Sequence, residues 1–238
     1  MNTQQSSLLR GQINQFQSLG AVDGPGLRYV VFMQECPLRC VYCHNPETWS
    51  RDGGESYTVD EVLEKILRCR SYLSAGGVTV SGGEPLLQGP FVNKLFTRLQ
   101  QEGLHTALDT SGIGDMACAE ALLSFTDLVL CDLKFATAAD YLNYTGGDLD
   151  QVLAFLSLTE KKRIPLWIRH VVVPGLTADP TYIGEIRRLA GSFSNLEKLE
   201  LLPFRKICTA KYDALGIPFP LADTPECSRE QLDQLNTK

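Results

Sequence analysis

The sequence predicts an α/β fold, an incomplete (β/α)6 barrel, and three observations carry that expectation. Short apolar runs rich in β-branched residues alternate with stretches whose apolar residues recur every three to four positions, the pattern of repeated βα units on a parallel sheet. Six units fit into the 238 residues, whereas a closed (β/α)8 barrel spreads eight over about 250. The residues that end the strand-like runs are polar, as required of a fold whose sites lie at the C-terminal ends of its strands.

Taken in order, the first strand is expected at 28–33, and the loop leaving it carries Cys36. A helix follows from Thr58, which forms a capping box with Glu61; Val59, Val62, Leu63, Ile66 and Leu67 line one face. The second strand, 77–80, ends in Ser81-Gly82-Gly83-Glu84, and the next helix buries Phe91, Val92, Leu95, Phe96 and Leu99. The third strand, 106–108, ends in Asp109-Thr110-Ser111; the fourth, 127–131, ends in Asp132 and Lys134. Arg169 and His170 lie within the fifth, 166–173, and Asp179-Pro180 gives the following helix a cap and a proline at its first position. The sixth strand, 199–202, leads to Arg205. No linker or low-complexity segment divides the chain. A single domain over 1–238 is expected, with an N-terminal extension 1–27, a βα core of about 28–203 and a tail 204–238.

Hydrophobic residues make up 44% of the chain, enough for a core, and 22 Lys and Arg against 28 Asp and Glu give a net charge of -6. An acidic balance argues against nucleic acid as a partner. No run approaches the ~18 apolar residues of a membrane span, and the N-terminus lacks the apolar centre of an export signal. The expectation is a soluble, cytoplasmic chain with no membrane partner.

Eight cysteines in such a chain point to metal or redox chemistry rather than disulfides. Cys36, Cys40 and Cys43 form a C-x3-C-x2-C run. Three thiolates hold a cubane [4Fe-4S] cluster at three irons and leave the fourth open to a ligand. Other readings compete. Cys40 to His44 matches the C-x-x-C-H haem attachment site, which normally follows export. Three thiolates with His44 would complete a zinc tetrahedron, although adjacent Cys43 and His44 are awkwardly placed for one ion. An electron-transfer ferredoxin wants a fourth cysteine, and the sequence offers none nearby. Cys69 and Cys118 are expected on helices as small core residues and Cys131 as a packing residue, while Cys208 and Cys227 carry no assignment.

The cysteine run, with aromatic Tyr42 immediately before its last member, resembles that of the radical S-adenosylmethionine (SAM) superfamily. Ser81-Gly82-Gly83-Glu84 resembles the GGE motif found there: glycines let the backbone approach a ligand, and strand-end carbonyls with Glu84 accept hydrogen bonds from an ammonium group. An anionic cluster beside a bound carboxylate calls for a cation, for which Lys134 is the candidate, against the plain reading of a solvated surface lysine. Asp109 and Asp132 end adjacent strands and are able to bind a cation, a ligand's polar groups or backbone amides.

The resemblance extends along the chain. Val22-Asp23-Gly24-Pro25-Gly26-Leu27-Arg28, Tyr42-Cys43-His44-Asn45, the GGE loop, Leu108-Asp109-Thr110, Asp132-Leu133-Lys134, Trp167-Ile168-Arg169 with 171–175, and Glu200-Leu201-Leu202-Pro203 resemble the glycyl-radical enzyme activating enzymes, nearest the pyruvate formate-lyase activators. That resemblance implies the radical SAM fold and a [4Fe-4S] cluster on Cys36, Cys40 and Cys43. It implies SAM contacts from Tyr42, Cys43, His44, Gly82, Gly83, Glu84 and the segment Asp132, Leu133, Lys134. Asp109, Thr110 and Asp132 match positions associated there with a monovalent cation. Only Cys69 lies between the cysteine run and the GGE loop, so the chain resembles the insert-free, single-cluster type. It departs from the activators where they carry a histidine after the Leu-Leu-Pro strand: here Arg205 follows Phe204, and a SAM contact from Arg205 is the corresponding expectation. The tail beyond also diverges.

The implied reaction is reductive cleavage of SAM, fed by a one-electron donor such as flavodoxin or ferredoxin. The resulting 5'-deoxyadenosyl radical then removes a glycine α-hydrogen from a partner glycyl-radical enzyme, and an incomplete barrel offers an open side for the partner's peptide. A radical SAM enzyme modifying a small molecule or peptide is the rival among enzymes. A non-catalytic iron-sulfur or zinc binding protein is the rival outside them, and it leaves the GGE loop without a role.

Overall fold

In chain order, the computed structural model, which describes residues 9–237, runs as follows: β1 (Arg10–Gly20), β2 (Arg28–Met33), β3 (Glu55–Thr58), α1 (Val59–Leu67), β4 (Gly77–Gly82), α2 (Gly89–Gln101), β5 (Thr106–Thr110), α3 (Met116–Leu123), β6 (Leu128–Asp132), α4 (Ala138–Thr145), α5 (Leu149–Lys161), β7 (Leu166–Val172), α6 (Pro180–Ala190), β8 (Leu196–Pro203), α7 (Thr209–Leu215) and α8 (Arg229–Asn236). The strands form one sheet in the order β3-β1-β2-β4-β5-β6-β7-β8, open rather than closed. From β2 to β8 every pairing is parallel, and these are the six strands expected from the sequence. Residues 1–8 and 238, which the single-domain expectation includes, lie outside the described residues.

Parallel strands covered on both faces read as near-continuous apolar runs, as Arg28–Met33 (RYVVFM) and Leu128–Asp132 (LVLCD) do. The helices begin where the caps predict. Thr58 Oγ1 accepts from Glu61 N at 3.2 Å while Glu61 Oε2 accepts from Thr58 N at 2.6 Å. Asp179 Oδ1 accepts from Thr181 N at 2.9 Å and Tyr182 N at 3.1 Å, with Pro180 in the first turn. Phe91, Val92, Leu95, Phe96 and Leu99 are all buried against the sheet. Burying side chains of this size is worth roughly 1.5–3 kcal/mol each.

Two strands of the sheet are not predicted by the sequence. β1, inside the expected N-terminal extension, pairs antiparallel with β2, and β3 pairs antiparallel with β1. Two register shifts in the β1–β2 ladder interrupt the alternation of RGQINQFQSLG, so no period of two survives to be read. β3 is four residues long and lies at the sheet edge, where shortness limits unwanted pairing. Cys69 falls in the turn after α1 rather than on a helix, and Cys118 is on α3 but only half-buried, whereas Cys131 is buried as expected. No helix among the described residues is long and apolar enough to cross a membrane.

Candidate active site

The strand ends place their polar residues around one cavity of about 340 Å³, bordered by Cys36, Cys40 and Cys43 on one side and by Asp109, Asp132, Lys134 and Arg169 among the groups on the other. The two sides are built differently. The cysteine loop is fixed mainly through its backbone. Gln34, buried at the end of β2, receives Gln88 Nε2 on its carbonyl oxygen at 2.8 Å and donates its own amide to Glu47 O at 2.8 Å and Ser50 O at 2.6 Å. Arg39 N and Val41 N donate to Thr145 O at 2.7 Å and Tyr144 O at 2.9 Å, so carbonyls at the end of α4, which lack partners within their own helix, hold the loop instead.

The GGE loop is stitched to the same region. Gly83 N donates to Met33 O at 2.9 Å and Glu84 N to Glu35 O at 2.7 Å. Gly82 has a φ of +106°, and a Cβ there would lie 2.4 Å from Met33 N; one on Gly83 would lie 2.1 Å from Glu35 O. The glycines are therefore required by the backbone crossing beside Cys36 as well as being open to a ligand. Glu84 does not border the cavity. It is fully buried and accepts from Thr110 Oγ1 at 2.6 Å, Ser111 N at 2.8 Å, Leu86 N at 3.0 Å and Ser111 Oγ. Its oxygens tie the loop after β4 to the loop after β5, and Thr110 is turned toward it. Burial raises the Glu84 pKa, and these hydrogen bonds oppose the rise.

The opposite wall is held by charge. Arg169 pairs with Asp109 and donates from Nε to Asp132 Oδ1 at 3.1 Å; Lys134 Nζ reaches Asp132 Oδ2 at 3.1 Å; Ser81 Oγ donates to Asp109 Oδ2 at 2.6 Å. Burial alone would raise the pKa of Asp132, but Arg169 and Lys134 hold it at about 2. Burial would lower that of Lys134, but Asp132 and then Cys40 hold it well above its ordinary value. The lysine side chain is only 12% exposed, so it is not a solvated surface residue. In this structure the positive charge beside Asp109 and Asp132 is Arg169, joined at Asp132 by Lys134.

Burial pushes the Cys36 thiol up to about 12 and the Cys40 thiol to about 11, with Glu84 adding at Cys36 and Lys134 opposing at Cys40. The Cys43 thiol is also raised by burial; the Asn45 backbone N–H, Lys134 and the Trp49 side chain oppose it. A bound metal centre inverts this balance by stabilising thiolates. Among the described residues no three His, Cys, Asp or Glu side chains converge closely enough to hold a single ion. Three soft donors spread along one wall, with a lysine facing them, fit an iron-sulfur cluster, whose bulk separates its ligands, better than a lone zinc ion.

Of the remaining sequence candidates, Tyr42 and His44 border the cavity, and Tyr42 Oη donates to Lys134 O at 3.5 Å. Leu133 is buried in the core, its N donating to Arg169 O at 3.0 Å and its O accepting from His170 Nδ1 at 2.8 Å. Arg205 does not join the site: His44 Nε2 donates to its backbone O at 2.9 Å, while its guanidinium donates to Cys227 O at 2.7 Å. Reasoning from sequence gives no role to Arg169, Asp23 or Trp49, all of which border the cavity. A signal for Arg169 exists: a charge inside a mostly apolar strand, at a position alternating with the buried 168 and 170.

A family described as 4Fe-4S single cluster domain matches residues 22–153. The pyruvate formate-lyase-activating enzyme of Staphylococcus aureus is 42% identical over 229 residues, covering 91% of this chain and 90% of that protein. Among solved structures, a domain of a pyruvate-formate lyase-activating enzyme from Bacteroides vulgatus aligns with a TM-score of 0.57 at 24% identity, over 68% of this chain and 91% of that one. A radical SAM methyltransferase from Sphaerobacter thermophilus aligns with a TM-score of 0.64 at 14% identity, over 88% of this chain and 62% of that one. At these identities the structures speak for the fold alone.

Proposed function

Because the chain belongs to the family of the pyruvate formate-lyase-activating enzymes, we propose that it is a radical SAM activase that installs a glycyl radical in pyruvate formate-lyase or a close relative of it. When bound, a [4Fe-4S] cluster with SAM supplies reductive cleavage to a 5'-deoxyadenosyl radical able to take a glycine α-hydrogen. The chain supplies position, charge and exclusion of water.

Cys36, Cys40 and Cys43 would ligate the cluster, leaving one iron without a protein thiolate. The peptides at Gly82 and Gly83 carry no side chain to keep a ligand away, so the methionine end of SAM would approach the main chain there. Lys134 and Arg169 would offset the negative charge of thiolates and a bound carboxylate, and the fixed geometry of Asp132 between them would hold both side chains in place without rearrangement. Tyr42 and His44, on the cysteine loop, would line the rest of the SAM pocket. Glu84 would act through Thr110 and Ser111 by positioning two loops rather than by touching the ligand. The open sheet leaves a side through which a peptide of the partner can enter, and a one-electron donor such as flavodoxin or ferredoxin would supply the reducing equivalent.

The observation that carries this reading is the convergence on one cavity of three thiols, the strand-end glycines and Lys134. The test is anaerobic reconstitution with iron and sulfide, reduction, and incubation with SAM and pyruvate formate-lyase. We expect 5'-deoxyadenosine and a glycyl-radical doublet in the electron paramagnetic resonance (EPR) spectrum of the partner. An intact cluster that yields neither product overturns the reading.

A further inference from the structure

The C-terminal segment packs against the Cys43 corner of the site. Tyr212, on α7, meets the Trp49 ring edge-on, with centroids 5.9 Å apart and planes at 86°. Phe219 backs Tyr212 at 4.8 Å, and the Arg39 guanidinium lies 5.0 Å from the indole centroid. Lys211 Nζ, one residue earlier on α7, donates to Asn45 Oδ1 at 2.7 Å. The indole is thus held on two sides.

Three buried polar atoms in this corner have no hydrogen-bond partner: Trp49 Nε1, Tyr212 Oη and Glu47 Oε2. Only Trp49 belongs to a residue bordering the cavity, where it neighbours Cys43. An unpaired buried N–H is costly, so this donor, on a residue that lines the cavity with Cys43, calls for an acceptor that gains strength when a group binds. The Cys43 sulfur is such an acceptor: weak as a thiol, it becomes a stronger one as an iron-bound thiolate. It already receives Asn45 N at 3.4 Å, and the Trp49 side chain lies near enough to oppose the rise in its pKa that burial causes.

We propose that the Trp49 indole N–H donates a hydrogen bond to the Cys43 sulfur once that sulfur ligates iron, and that this bond raises the reduction potential of the cluster. The proposal rests on the functional reading to the extent that Cys43 carries a cluster iron. Adding one electron increases the negative charge on the sulfurs, so a fixed donor stabilises the reduced state more than the oxidised one. Trp49 is then a positioning residue of the electron-transfer step. The tail has a task as well: it holds the indole and keeps water from competing for the sulfur.

The test is an EPR-monitored redox titration of the reconstituted protein without SAM. In Trp49→Phe the midpoint should fall, with the reduced-to-oxidised ratio at a fixed potential dropping about tenfold, which for one electron is 59 mV. A proton coupling to the reduced cluster that exchanges in D2O should also disappear from the electron-nuclear double resonance spectrum. A loaded variant with unchanged midpoint and unchanged couplings overturns the proposal. Should Trp49→Phe lose the cluster, replacement of Trp49 by 3-benzothienylalanine, which puts sulfur in place of the N–H on the same ring shape, decides: a lowered midpoint supports the bond and a native one overturns it. A wild-type chain that takes up no [4Fe-4S] cluster overturns the functional reading together with this one, whereas a loaded wild type with an unaffected variant overturns this one alone.

Discussion

The cavity has one wall fastened by main-chain hydrogen bonds and another fastened by ions. On the first, the N–H groups of Gln34, Arg39 and Val41 donate to carbonyls from β1 and the end of α4, the carbonyls of Met33 and Glu35 accept from N–H groups of the GGE loop, and the thiols are carried on a scaffold that does not depend on them. On the second, Asp109, Asp132, Lys134 and Arg169 come from β5, the end of β6 with the residues after it, and the middle of β7, and hold one another. A thiol can therefore be removed from the first wall with little harm to the fold. Removing a charge from the second leaves its partners buried and uncompensated.

The largest difference between the walls should show at Cys40. Cys40→Ala should leave a folded protein, with the far-ultraviolet circular dichroism of the wild type, and abolish the site-differentiated cluster. Iron analysis and EPR after reconstitution provide the measurement; wild-type cluster loading in the variant would contradict the ligand assignment. A collapse of the fold would show instead that the first wall leans on its thiols.

Arg169→Met is the complementary change and next in size. Its side chain is 12% exposed and bridges two carboxylates, so removing it strands Asp109 without its cation and leaves Asp132 with Lys134 alone. Breaking a buried pair from one side costs about 3–5 kcal/mol, and we expect a loss of that order in urea unfolding of the cluster-free protein at pH 7. A loss below about 1 kcal/mol, the range of exposed ion pairs, would mean that water entering the cavity screens the wall and that the two walls do not differ as described.

The same contrast explains how much is legible in the sequence. The first wall is readable because its chemistry is local: Cys36, Cys40 and Cys43 lie within eight residues, and Gly82-Gly83 sits at the end of a strand. Parallel strands such as β2 and β6 are readable because burial on both faces leaves near-continuous apolar runs. The second wall depends on register. Arg169 lies opposite Asp132 in the β6–β7 pairing, a relation that no spacing within the chain expresses, so the sequence shows its charge without its role. Glu84 misleads because a carboxylate beside two glycines looks available to a ligand, whereas its oxygens are taken by Thr110, Ser111 and Leu86. Arg205 misleads in the opposite way: its position in the chain suggests the cavity, but its guanidinium turns to the tail at Cys227.

The smallest of the expected effects lies one residue from Arg169, on the other face of β7. His170 is buried, donates from Nδ1 to Leu133 O at 2.8 Å, and has no partner at Nε2. Burial lowers its pKa from an ordinary 6.5 to about 4, despite the opposing pull of the Leu133 hydrogen bond. The folded chain therefore binds fewer protons than the unfolded chain between pH 6.5 and 4, and stability must fall as the pH drops through that window. Each pH step of one across the window removes about 1.36 kcal/mol, so the whole contribution is about 3 kcal/mol, of which about 2 is gone by pH 5. His170→Gln removes the titration without introducing a charge. Comparison of urea midpoints at pH 7 and pH 5 in cluster-free protein should show the wild type losing about 2 kcal/mol more than the variant. Equal losses would mean that His170 takes up its proton in the folded state, and hence that the helix-facing side of β7 tolerates charge as readily as the cavity side.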